Sequence, residues 1–185
     1  MPITIHGSGT VTGISAGGLP DASVTPADLS QPLTQGTTQA TTSGTSIDFT
    51  GIPSWVKRVT VMFNGVSTNG SSVLLIQLGS GSVATTGYVS TAISSSTGGN
   101  AIATSTAGMV VSGNNTGTYA QVGSVIITNV SSNSWVAFGY GLQATTQTTG
   151  MSGSVTLSVA LDRVRLTTVN GTDTFDAGSI NILYE

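Results

Sequence analysis

Cysteine is absent from this chain of 185 residues, which excludes disulfides, zinc–thiolate centres and thiol nucleophiles. Histidine occurs once, at His6, so any reaction that needs a histidine base has a single candidate. Charge is scarce too. Lys and Arg together number 4 and Asp and Glu 7, for a net charge of −3 and a charged fraction of 6% where about 25% is usual. Such a chain lacks the basic surface that neutralises nucleic-acid phosphates or anionic headgroups, so nucleic acid is not an expected partner. No window approaches the roughly 18 apolar residues of a membrane span, and no membrane insertion is expected. The opening Met1-Pro2-Ile3-Thr4-Ile5-His6 has neither a basic segment nor a long apolar run and does not read as a secretory signal.

The few charges are unevenly placed. Between Arg58 and Asp162 there is no Asp, Glu, Lys or Arg, so chemistry that needs an ionised side chain has no place in that interval. What fills it is Ser, Thr, Asn and Gly, interleaved with short runs of Val and Ile. Disorder usually accompanies high net charge and few aliphatic residues; here the aliphatic runs point to an ordered chain, and threonine's branched Cβ suits a pleated surface.

Residues 1–36 read as an arm and residues 37–185 as one β domain. The arm opens with the alternating Ile3-Thr4-Ile5 and turns at Gly17-Gly18-Leu19-Pro20-Asp21. Thr25-Pro26-Ala27-Asp28-Leu29 carries a helix-start signal, a threonine cap followed by proline, which Pro32 limits to one or two turns. Gln31 to Gly36 reads as a linker. In the domain, Ser46–Thr50 alternates at period two, Ile52–Val56 reads as a turn, and Arg58–Phe63 as a strand. Asn64-Gly65 and Asn69-Gly70 are turn dipeptides. Val73–Leu78 is nearly continuously apolar, as for a strand buried on both faces. Further strands are expected over 87–94, 100–104, 107–112, 118–128, 134–143, 153–165 and 178–184. Short strands at this spacing predict an all-β sandwich of the jelly-roll kind. Val169-Asn170-Gly171-Thr172 admits two readings. One is a type I′ hairpin that sets Leu166 opposite Phe175 and Arg165 opposite Asp176; the other is an open loop before the last strand.

Sites for chemistry are few. His6 reads as a solvated or interface residue; a three-histidine metal site would require three parallel copies around an axis. The carboxylates Asp21, Asp28, Asp48, Asp162, Asp173, Asp176 and Glu185 read as turn and surface groups. Asp173 and Asp176 alone supply too few oxygens for calcium. No serine is marked as a nucleophile, and Gly79-Ser80-Gly81-Ser82 lacks the lysine of a phosphate loop. Neither cofactor nor catalytic residue is expected, and the chain does not read as an enzyme. Sugar sites use exposed aromatic faces, which makes Trp55, Tyr88 and Tyr119 candidates for glycan contact; the plainer reading of each is core or subunit interface. Trp135–Tyr140 is apolar enough for a buried strand.

Two stretches resemble segments of tailed-bacteriophage fibre and tail proteins: Ile3 to Thr25, with its ITIHGSGTVTGISAGGLPDASVT pattern, and Ser46 to Val61. The ending Asp173–Glu185 is similar to the end of the β domain in the same group. The resemblance implies a virion component, on the tail or on the capsid surface, and a homotrimer. It implies that residues 1–36 attach to other tail or fibre proteins, with Ile3, Ile5, Leu19, Pro20 and Leu29 as the arm's anchoring side chains. The β domain is then expected to meet a host-surface glycan. The alternatives are a capsid-surface fibre or decoration protein without receptor binding and, against the charge-free interval, a polysaccharide depolymerase.

Overall fold

The structure is a computed structural model that describes residues 4–5, 11–12 and 29–185. Every regular element among them is a β-strand, and all pairings are antiparallel. The chain divides into two compact units, Met1–Pro32 and Leu33–Glu185. In the first, β1 (Thr4–Ile5) pairs with β2 (Val11–Thr12), Ile5 opposite Val11. Ile3, His6, Leu19 and Pro20 lie outside the described residues, as does the start of the expected helix; Leu29 to Gln31, within them, are not helical, and Leu29 is exposed.

The second unit is built from two sheets around one core. β3 (Thr34–Gln35), β4 (Gln39–Ala40), β6 (Arg58–Thr68), β9 (Val89–Ser96), β10 (Gly99–Ser105), β12 (Gln121–Ser131), β13 (Ser134–Gln143), β14 (Gln147–Thr156) and β16 (Phe175–Tyr184) form the larger. Its order is β10-β9-β14-β13-β12-β6-β16-β3, with β4 also on β16. The smaller holds β5 (Ile47–Thr50), β7 (Leu74–Ser80), β8 (Ser82–Val83), β11 (Met109–Val110) and β15 (Arg163–Thr168), in the order β11-β7-β15-β5 with β8 on β7. Thr34–Gln35, expected as linker, is therefore sheet: it pairs with Leu183 and Tyr184.

Alternation drives the packing. In β6, Val59, Val61 and Phe63 face the core while Thr60 and Met62 face away. Past Asn64-Gly65 the parity shifts and Val66 and Thr68 become the buried pair. This dipeptide is not the expected turn. Gly65, at φ 69°, makes a bulge inside an 11-residue strand. Across from it β16 is irregular between Ala177 and Ser179. Gly178 there has φ 92°, and a Cβ on it would run into the Gly65 backbone. The two glycines allow two strands to bend together. β7 is buried on both faces from Leu74 to Gly79, as its apolar run predicts.

Three strand expectations change. β15 and β16 lie in different sheets, so no 165–176 hairpin forms. The open-loop alternative holds, and Asn170 serves it: its Oδ1 accepts the backbone N–H of Thr172 at 3.0 Å and of Asp173 at 3.2 Å, closing a local Asx turn that competes with a ladder. Arg165 faces Asp48, not Asp176. The stretch 153–165 is two strands, β14 and β15, separated at Leu157–Asp162. β14 begins as early as Gln147, in sequence too polar to read as a strand.

A buried polar clamp ties segment 112–115 to the end of the large sheet. Ser94 Oγ donates to Gln143 Oε1 at 2.9 Å, and Gln143 Nε2 donates to the Asn114 carbonyl at 2.6 Å. Asn115 Nδ2 donates to the Ser72 carbonyl at 2.9 Å.

Candidate interaction surface

β13 has an inverted pattern. Its small residues, Ala137 and Gly139, face the core beside Trp135, while Val136, Phe138, Tyr140 and Leu142 point away from it. Tyr140 is 80% exposed and Phe138 55%. Next to this ridge, β14 presents only small groups on the same face: Ser154, Ser152, Gly150 and Thr148 stand opposite Val136, Phe138, Tyr140 and Leu142 in turn. The Tyr140 ring leans over Gly150, where a Cβ would stand 3.7 Å from its Cζ. Beyond β14 the surface rises again at Val89 and Ile93 on β9 and Ile102 on β10.

Between the two rises runs a furrow. One depression of ≈ 690 Å³ lies among Val89, Thr91, Thr104, Val136, Ser152 and Ser154. A second of ≈ 300 Å³, sharing Thr91 and Ser152, continues toward Ile93, Ile102, Tyr140 and Gly150. Every residue of this ridge and furrow falls inside the charge-free interval. The nearest charge along the sheet is Arg58 on β6, the strand beside β12, where it pairs with Glu185.

The outer face of the small sheet is different. Arg165 on β15 lies between Asp48 on β5 and Gln77 on β7. Its guanidinium clasps Asp48 with Nε–Oδ1 at 2.8 Å and Nη2–Oδ2 at 2.9 Å, and this hydrogen-bonded carboxylate raises the arginine's pKa. Gln77 Nε2 donates to the Ala107 carbonyl at 2.9 Å, and Thr167 Oγ1 to the Thr45 carbonyl at 2.8 Å. Between them lies a polar groove of ≈ 260 Å³ reaching Asn170.

Each described carboxylate is engaged. Asp162 accepts from Arg163 Nε at 2.7 Å and from the Gly81 N–H at 2.9 Å; the arginine above all, then the amide, holds its carboxyl below the usual range. Asp173 accepts from the Ser72 N–H at 2.9 Å and from Asn170 Nδ2 at 2.6 Å. Asp176 accepts from Ser67 Oγ. Among the described residues no three His, Cys, Asp or Glu side chains gather as a metal site would require.

The aromatic residues singled out in the sequence do not converge. Tyr88, a glycan candidate, is 2% exposed. Its hydroxyl accepts the Leu78 N–H at 2.7 Å and donates to the Leu78 carbonyl at 3.1 Å, filling the gap along β7 between β11 and β8. Burial pushes its pKa up to about 12. Trp55 packs on the core with its ring 6.2 Å from that of Tyr184. Tyr119 is half-buried and accepts from Gln147 Nε2 at 3.3 Å. Trp135 is buried as expected. The exposed aromatics are Phe138 and Tyr140, which the sequence reading assigned to a buried strand. The missed signal is the size alternation in Val136-Ala137-Phe138-Gly139-Tyr140: one face gets only small residues, so the large ones must share the other.

No family model matches this chain, and neither a curated protein nor a solved structure matches it.

Proposed function

We propose that this protein is a structural and adhesive component of a tailed-phage virion, a homotrimeric fibre-like subunit rather than an enzyme. Residues 1–36 attach it to other virion proteins, and its β domain, a sandwich of the jelly-roll kind, meets a host-surface glycan. The observation that supports this reading is the opposition of two outer faces in one domain. The large sheet offers an uncharged apolar ridge of the kind that assemblies cover. The small sheet offers a groove of amide, hydroxyl and guanidinium groups, the chemistry that hydrogen-bonds neutral sugars. Weak contacts of this kind gain strength when several copies present them together.

One observation favours a capsid-surface fibre or decoration protein without receptor binding. Arg165 and Gln77 already have partners within the chain, which leaves fewer free donors for a ligand. The experiment combines a glycan array on the purified protein with adsorption of phage particles lacking it. A glycan ligand lost in Gln77→Ala, together with impaired adsorption, is expected. No ligand and unchanged adsorption would remove the receptor role, and absence from purified virions would remove the virion reading altogether.

A further inference from the structure

The ridge and furrow on the large sheet call for an occupant. Isolated exposed apolar residues are ordinary, but a contiguous apolar patch of this kind on a soluble domain marks an interaction site. We infer that the occupant is a second copy of this chain, whose β13 ridge seats in the β14 furrow of its neighbour.

Three features of the face select this occupant. The first is electrostatic. None of the strands of this face carries an Asp, Glu, Lys or Arg, so two copies can bring these strands together without like-charge repulsion and without stripping water from an ion. A charged partner would find nothing to pair with there. The second is shape. Ridge and furrow run side by side on adjacent strands, in register from Val136/Ser154 to Leu142/Thr148. They therefore have equal length, and the knob of one copy matches the slot of another. Phe138 and Tyr140 are the knobs; Gly150 and Ser152 floor the slot. The third is size. The face spans the five strands β10, β9, β14, β13 and β12. At about 4.8 Å between strands and 3.3 Å per residue this is roughly 20 Å square. Its projected area is about 400 Å², roughly half of the ~800 Å² that each partner buries in a standard interface and the scale of a weak contact that several copies reinforce. With ridge and furrow side by side on one face, two copies set face to face seat each ridge in the other's furrow, a reciprocal two-fold contact.

The inference rests on the assembling role proposed above and names the surface that performs it. It is tested on purified full-length protein, so its outcome is separate from virion location and glycan binding. Light scattering is expected to give a mass of two or more chains for the wild type, and the monomer mass for Phe138→Asp and for Tyr140→Asp. Because a charged substitution could harm folding, cross-linking supplies a second measurement. The chain has no cysteine, so single-cysteine variants report cleanly. Under oxidation, a mixture of Tyr140→Cys and Ser152→Cys protein should give cross-linked dimers. The exposed small-sheet control Ser82→Cys should give none. A monomeric wild type, undiminished assembly in both aspartate variants, or cross-linking confined to the control overturns the inference. So does a monomer that binds a neutral oligosaccharide at Tyr140, which would assign the face to a sugar.

Discussion

The two outer faces of the β domain are made from the same secondary structure and differ in almost everything else. On the small sheet, Arg165, Asp48, Gln77 and Thr167 bond to one another or to nearby backbone, and the surface is a shallow polar groove. On the large sheet, Phe138, Tyr140, Val89 and Ile102 project with no polar partner at all. A face that satisfies its own hydrogen bonds is finished in water. A face that leaves large apolar groups in water has been left for something else to cover. The contrast is the ground on which two roles are proposed for one β domain: one face that presents and one that assembles.

The sharpest way to break this comparison is to ask whether the apolar face also holds the fold. Leu166 is 1% exposed in the shared core, and Leu166→Ala is expected to cost about 2–5 kcal/mol through lost burial and the cavity left behind. Phe138→Ser, by contrast, should change the stability of the isolated domain by about 0.5 kcal/mol or less, as surface substitutions do. Urea unfolding of both variants, measured at dilutions where the protein is monomeric, compares them directly. Equal costs would mean that Phe138 belongs to the core and that the large sheet has no free outer face.

A second test concerns Tyr88, which the sequence offers both as a glycan contact and as core. Tyr88 joins the small sheet's edge to the interior, and its pKa is pushed from 10.0 to about 12 by burial. The folded state therefore holds this proton more tightly than the unfolded state does. The resulting stability is fully present below pH 10 and is lost as the pH rises through about 12. Two pH units correspond to a loss on the order of 2–3 kcal/mol. Tyr88→Phe should lower stability at neutral pH by about 1–3 kcal/mol, because the buried Leu78 N–H loses its partner, while the Leu78 carbonyl keeps the Ala84 N–H. It should also flatten the alkaline decline. If wild type and variant lose stability in parallel between pH 10 and 12, Tyr88 is not the buried strand-edge plug, and it returns as a candidate for surface contact.

Much of this architecture is legible in the sequence, and where it is not the reasons are physical. Val73–Leu78 announces a strand covered on both sides because a strand with one wet face would alternate and not carry a run that only Gln77 interrupts. The charge-free interval announces an uncharged surface but not which side of the sheet it occupies. Asn64-Gly65 reads as a turn because its signal is a positive φ, and a bulge uses the same φ; only the pairing with β16 distinguishes them. Asn170-Gly171 admits a hairpin for the same reason, beside the open loop that the structure shows, where its side chain satisfies the loop locally. The first part of β14, 147–152, escapes notice because its residues are mostly glycine, hydroxyls and an amide, a composition that also makes a furrow. The ridge of β13 was visible as a run of apolar residues, yet a run says only that both faces are apolar. That one of them lacks a covering layer is a property of the topology.

The smallest effect sharpens the polar side of the comparison. The Arg165–Asp48 pair has good bidentate geometry, but its side chains remain 34% and 35% exposed. Water screens such a pair, and breaking it should cost only about 0.2–1 kcal/mol of stability. Arg165→Ala and Asp48→Ala should each lie in that range, and the double variant should cost less than their sum because the coupling is already gone in either single variant. The cost should shrink at 1 M salt, where the screening length falls to about 3 Å. The same cycle on the large sheet, Phe138→Ala with Ile126→Ala across the β12–β13 pair, should show no weakening with salt, since no charge is involved. Salt sensitivity on one face and none on the other is the thermodynamic form of the difference between them. If the large-sheet cycle weakens with salt as the Arg165–Asp48 cycle does, the face is not the uncharged surface on which a second copy could settle.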